Sequence, residues 1–217
     1  MNRRGFVAAW GAVAGSVAML ALGLPLGALA ADEAPDALIR RLSTEVLDAI
    51  KADKAIQAGE ISKVVALVDS KIMPNVNFQR MTAAAVGPGW RQASPEQQQR
   101  LQEEFKTLLI RTYSGALAQV SDQTILVKPL RAGAEDKDVV VRTEVRGRGD
   151  PIQLDYRMEK TPGQGSGWRI YNLNVLGVWL VETYRSQFAQ EINAKGIDGL
   201  ITALAERNKS NAVARKG

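Results

Sequence analysis

Histidine and cysteine are both absent from the 217 residues, and each absence removes a class of chemistry. Without them the chain cannot assemble a Ser-His-Asp or Cys-His nucleophile, an imidazole acid and base, or a zinc site with nitrogen or sulfur ligands. The lack of cysteine also excludes a disulfide framework and a lipid-modified N-terminal cysteine. A phosphate-binding glycine loop is missing as well. Gly163-Gln164-Gly165-Ser166-Gly167 has the look of one, but strand patterns flank it and no helix follows, so it reads as a hairpin turn. Carboxylate pairs remain available, yet the Asp and Glu residues fall on faces that read as solvated. A conventional enzyme is therefore not expected.

The long apolar run is confined to the start of the chain. Arg3 and Arg4 open it, an Ala/Gly/Leu-rich stretch follows from Phe6, and Ala28-Leu29-Ala30 has the small-x-small pattern of a cleavage site. Residues 1–30 thus read as a cleaved signal peptide. Gly11, Gly15, Gly23, Pro25 and Gly27 interrupt the run, which argues against a retained membrane anchor. Asn2-Arg3-Arg4-Gly5-Phe6-Val7 fits a twin-arginine signal and an ordinary secretory signal equally well. The remainder suits one domain over 31–206 and is long enough to bury a core without crosslinks. The formal charge of +5 falls by two when the signal is removed. Such a mildly basic surface fits either weak attraction to anionic headgroups or plain solubility.

The first half is helical by its period. Residues 35–55 carry Leu38, Leu42, Val46 and Ile50 on one face, and 60–72 carry Ile61, Val64, Val65, Val68 and Ile72 in the same manner. Asn77 caps a short helix through Val86, and Gly87-Pro88-Gly89 stops it. Ser94, Pro95 and Gln97 form a start signal of the capping-box type for the longest helix. Its apolar face runs Leu101, Phe105, Leu108, Leu109, Tyr113 and Leu117. Reaching residue 119, it would span roughly 40 Å at about 1.5 Å per residue, long enough to wall a pocket.

The second half changes period to two. Residues 123–130, 138–146, 151–159 and 167–175 read as four strands of an antiparallel meander with one apolar and one wet face. Ile152, Leu154, Tyr156 and Met158 share the apolar face of the third, while Asp155 is expected on the wet one. Helices at 178–192 and 197–205 follow, and 207–217 reads as a basic, disordered tail. The fold class is α+β, a four-stranded antiparallel sheet packed against several helices. Periodicity alone does not separate a filled core from one left partly open for a ligand, because every core helix shows an apolar stripe. The placement of Phe78, Met81, Trp90, Phe105, Tyr113, Tyr156, Trp168, Tyr171, Trp179, Tyr184 and Phe188 tilts the balance slightly toward a cavity.

Val76-Asn77-Phe78-Gln79-Arg80-Met81, Ala85-Val86-Gly87 with Trp90, Ala93-Ser94-Pro95-Glu96-Gln97 and the stretch from Phe105 to Tyr113 resemble the MlaC family of periplasmic phospholipid-binding proteins, also called the toluene-tolerance family. Trp168-Arg169-Ile170-Tyr171-Asn172, Leu176-Gly177-Val178 and Tyr184-Arg185-Ser186-Gln187-Phe188 extend the resemblance in the family's order. Two positions depart from the pattern: Asn77 stands where aspartate is usual, and Trp179 where serine is usual, at a pocket entrance or docking surface. The resemblance implies a nuclear-transport-factor-like cone with an apolar pocket near the upper end of the usual size range, on the order of 1,000 Å³ for a two-tailed lipid. It implies a periplasmic carrier that binds glycerophospholipid as cargo, with no cofactor, metal or nucleic acid. Its partners would be an inner-membrane ABC transporter complex and an outer-membrane lipoprotein–porin complex, with the carrier itself a monomer. The expected lining residues are Phe78, Met81, Phe105, Leu109, Tyr113, Leu154, Tyr156, Val178, Tyr184 and Phe188. Arg80, Arg91, Arg111 and Arg185 are candidates for a phosphate or a partner's acidic patch, or simply for a solvated helix face. Two other readings stay open: an enzyme using Asp155 or Tyr156 as acid or base, and an adaptor that binds only proteins.

Overall fold

The computed structural model describes residues 33–117, 120–133 and 135–213; residues 1–30, read as a signal peptide, lie outside them. Helix α1 (Pro35–Ala52) ends three residues earlier than its apolar period suggests, because Asp53 adopts extended backbone. The Asp53 carboxylate instead accepts from the Ala55 and Ile56 amides and starts a new short helix, α2 (Lys54–Gln57). Helix α3 (Ile61–Leu67) then widens into a π turn (Val68–Ile72) and tightens into a 3-10 turn (Met73–Asn75), where the sequence period had suggested one uniform helix. The Asn77 side chain accepts from the Arg80 amide at 2.9 Å and caps α4 (Phe78–Val86). Gly87, with φ of 70°, closes that helix as the sequence suggested and opens a 3-10 turn (Gly87–Arg91).

Helix α5 (Pro95–Leu117) begins with the expected reciprocal cap: the Ser94 amide donates to Gln97 Oε1 at 2.9 Å and the Gln97 amide donates to Ser94 Oγ at 3.2 Å. The meander follows as β1 (Thr124–Val127), β2 (Asp138–Arg146), β3 (Ile152–Lys160) and β4 (Trp168–Val175). All neighbours pair antiparallel in the order of the sequence. A fifth strand, β5 (Val178–Trp179), pairs with β4 at the place where the sequence had suggested a helix start. Leu176 and Gly177, both at positive φ (53° and 86°), make the tight turn between them.

Helix α6 (Leu180–Val213) absorbs both closing helices and bends at Gly196, whose φ is 70°. It also absorbs residues 207–213 of the segment read as a disordered tail. Asn208 holds that end in place: its Nδ2 donates to the Glu104 carbonyl at 3.0 Å and to Glu104 Oε2 at 2.7 Å, while Arg111 Nη1 donates to the Asn208 carbonyl at 2.9 Å.

Three apolar clusters fill the body. One, with Phe105 fully buried at its centre, joins α4, α5 and α6; a second seats Leu38, Ile39 and Leu42 of α1 on Val141, Met158 and Ile170 of the sheet; a third gathers Ile50, Ile56, Val64, Leu67 and Ile110. All described residues fall in one compact unit, 31–217. No helix among them is long and apolar enough to cross a membrane.

Candidate functional site

The three clusters do not close on one another. Between them lies a cavity of about 530 Å³, roughly half the size expected from the resemblance. Its walls follow from local periodicity. Ile39, Leu42, Val46 and Ile50 recur at helical spacing on α1, and Leu109, Ile110, Tyr113 and Ala116 do so on α5. Leu154 and Tyr156 of β3 and Leu173 and Val175 of β4 face the same space, since alternate residues of a strand share a side. Val68 and Ile72 of the π turn, with Met73 and Val76 after them in the chain, add a further wall.

Polar atoms on these walls are few and mostly engaged. The Tyr156 hydroxyl lies beside the hydroxyls of Ser43 of α1 and Thr143 of β2. Burial raises its pKa, and the two hydroxyl partners only partly offset that rise. Burial, and then the neighbouring Tyr184 hydroxyl, likewise raises Tyr113. Both phenols are neutral at physiological pH. Among the described residues that line the cavity, Lys106 alone carries a charge. Its ammonium reaches out to Asp69 Oδ1 at 2.9 Å.

Six of the ten residues expected on the lining meet there: Phe78, Met81, Leu109, Tyr113, Leu154 and Tyr156. Phe105, Tyr184 and Phe188 do not. They form an aromatic cluster behind the wall, with Phe105 centred 5.8 Å from Phe78, 5.0 Å from Tyr184 and 5.2 Å from Phe188. Val178 is 51% exposed in β5, since the turn at Leu176 and Gly177 carries it out beside the cavity rather than into it.

None of the four arginine candidates lines the cavity. Arg80 pairs with Glu159 and Asp138 and lies 3.6 Å from the Tyr171 ring centroid, which ties α4 to the sheet. Asp155 is also placed differently from expectation. It lies away from the cavity, between Arg142 and Asn174 on the neighbouring strands, but is buried at 5% exposure rather than wet. Gln153 Nε2 donates to its Oδ2 at 2.7 Å. An acid or base role for Asp155 on a cavity-bound molecule is thereby removed.

Ser43 and Lys106 were not singled out from the sequence, and Val68 and Ile72 were read only as the apolar face of a helix. For Lys106 a signal existed: it stands three residues before Leu109 and seven before Tyr113, a lysine set into an apolar stripe.

The model of the family described as "MlaC protein" matches residues 40–206. The chain belongs to the MlaC family. Among its relatives is the toluene tolerance protein ttg2D of Pseudomonas putida, 28% identical over 182 residues, covering 83% of this chain and 82% of the relative. Another is the intermembrane phospholipid transport system binding protein MlaC of Haemophilus influenzae, 24% identical over 179 residues, covering 81% of this chain and 83% of that one. A solved structure of a phospholipid-binding protein from Ralstonia solanacearum, in complex with a phospholipid, is 49% identical. It superposes with a TM-score of 0.78 over 82% of this chain and 98% of its own.

The two departures of this MlaC-family chain from the usual pattern now have a structural account. Asn77 keeps the cap and adds a bond that an ionised aspartate could not make, its Nδ2 donating to Glu159 Oε1 at 2.6 Å. Trp179 does not narrow the cavity. It packs on the far side of the sheet, its ring 4.1 Å from the Arg157 guanidinium. Arg157 in turn pairs with Glu182 in the first turn of α6.

Proposed function

We propose that this chain is a periplasmic carrier that holds a glycerophospholipid by its acyl chains and passes it between membranes, without catalysing a reaction. The observation that supports this is the cavity itself: a space of about 530 Å³ with aliphatic and aromatic walls and a single charged side chain. Two acyl chains hold on the order of thirty methylenes, and at about 0.8 kcal/mol each their exposure to water would cost roughly 25 kcal/mol. A carrier removes that barrier. The family membership and the phospholipid-bound relative point the same way. Two full chains call for more than about 530 Å³, so loading is expected to widen the cavity. We further propose that residues 1–30 direct export, and that donor and acceptor are membrane-bound lipid-transfer complexes of the inner and outer membranes.

Native mass spectrometry of the purified chain, with lipid extraction, tests the carrier reading. A co-purifying diacyl lipid, or uptake of phospholipid from vesicles, is the expected result. Protein that arrives empty and stays empty in the presence of vesicles would sink it. Leu109→Arg places a charge on the α5 wall and should reduce lipid retention at least tenfold while the protein still folds. Equal lipid occupancy in the folded variant would show that the chains lie elsewhere.

A further inference from the structure

We infer that Lys106 is the residue that reads the phosphodiester of the bound lipid, and that the headgroup leaves the cavity at the seam between the π turn and α5. This rests on the carrier reading above and names the polar end of its cargo.

The lysine stands on α5 one turn before Leu109 and Ile110, with its stem against the cavity and its ammonium at the surface. It is the one charged group on the lining among the described residues. Its partner, Asp69, lies across the seam, 2.9 Å away on the π turn. The side chains are 32% and 45% exposed, so the pair is wet and weakly held. A phosphodiester anchored by its chains would compete with Asp69 at a high local concentration, as in any tethered second contact. Elsewhere the exposed rim of the lining is Leu176, Ile152 and Tyr113, side chains that offer a phosphate no charge. A lipid that obeys the polarity of these walls puts its chains toward that rim and its phosphate toward Lys106. Asp69 then acts as a placeholder, satisfying the ammonium when no phosphate is bound and repelling the phosphate when one arrives.

Competition between a phospholipid and the diacylglycerol of the same chains, presented to the full-length mature protein in mixed micelles, separates the headgroup contact from chain burial. Wild-type protein should prefer the phospholipid. Lys106→Gln should reduce that preference roughly five- to tenfold, Lys106→Arg should restore most of it, and Asp69→Asn should increase it. The preference should shrink as salt is raised from about 50 to 500 mM. An unchanged preference in Lys106→Gln, with melting temperature and total lipid uptake like wild type, would overturn the assignment. Failure of wild-type protein to take up either lipid would instead overturn the carrier reading. Inorganic phosphate alone should leave the melting temperature of lipid-free protein unchanged. Stabilisation by phosphate alone would assign Lys106 to a free-anion site and overturn its role toward lipid.

Discussion

Tyr156 does two jobs with one side chain. Its ring belongs to the cavity wall, while its hydroxyl sits between Ser43 of α1 and Thr143 of β2. Thr143 donates to the Leu154 carbonyl at 2.7 Å, and its hydroxyl, like that of Ser43, favours the phenolate against the burial that disfavours it. Tyr156→Phe should lower stability by about 1 kcal/mol at pH 7, read as a shift in the urea midpoint. Because burial raises the folded pKa, the neutral phenol is the favoured folded form. The stability it contributes is complete below the ordinary tyrosine value of about 10 and is lost as pH rises through the folded value. The gap between wild type and Tyr156→Phe should therefore narrow above about pH 10. A gap that stays constant would mean that the hydroxyl is solvated. Asp155 marks where residue-scale reading fell short: alternation placed it correctly away from Tyr156, but how deeply strand neighbours cover a side chain is not written in a period of two.

At the scale of elements, the starts were more legible than the ends. The Ser94 and Asn77 caps act through side chains on atoms two or three residues away, and so they appear in the sequence as they do in the fold. The continuation of α6 past residue 205 does not. The basic, polar stretch from Arg207 looks like a disordered tail, and what recruits residues 207–213 is the bonding of Asn208 to Glu104, over a hundred positions away. The π turn is similarly hidden, since Val68 and Ile72 have the same spacing in an α-helix. Gly196 itself makes a testable point. A Cβ there would meet nothing within 4 Å, so backbone strain at φ of 70° is the whole penalty. With ψ of −171° this is a backbone region that glycine alone adopts readily, and Gly196→Ala should destabilise by roughly 1–3 kcal/mol, seen as a lower melting temperature, with lipid retention unaffected. A much larger loss would show that the bend is held by packing rather than by glycine.

At the scale of the molecule, the sequence carried the α+β class and most of two walls, but not the cavity. A filled core and an open one share the same apolar faces, and only the three-dimensional gap between clusters distinguishes them. The walls of that gap are unequal. Helix α5 is clasped on one side by Tyr184 and Phe188 and on another by Leu200 and Leu204, both halves of α6 closing on it. The π turn opposite is wound wide; a half-exposed ion pair, Lys106 with Asp69, and the packing of Val68 on the cluster around Ile110 tie it to α5. We expect changes in cavity volume to fall on residues 61–75, where the backbone departs from regular α-helix, rather than on α5. Amide hydrogen exchange should read this directly: lipid-free protein exchanges faster over 61–75 than over α5, and lipid slows the former far more than the latter. Uniform protection on loading would place the compliance in the sheet instead.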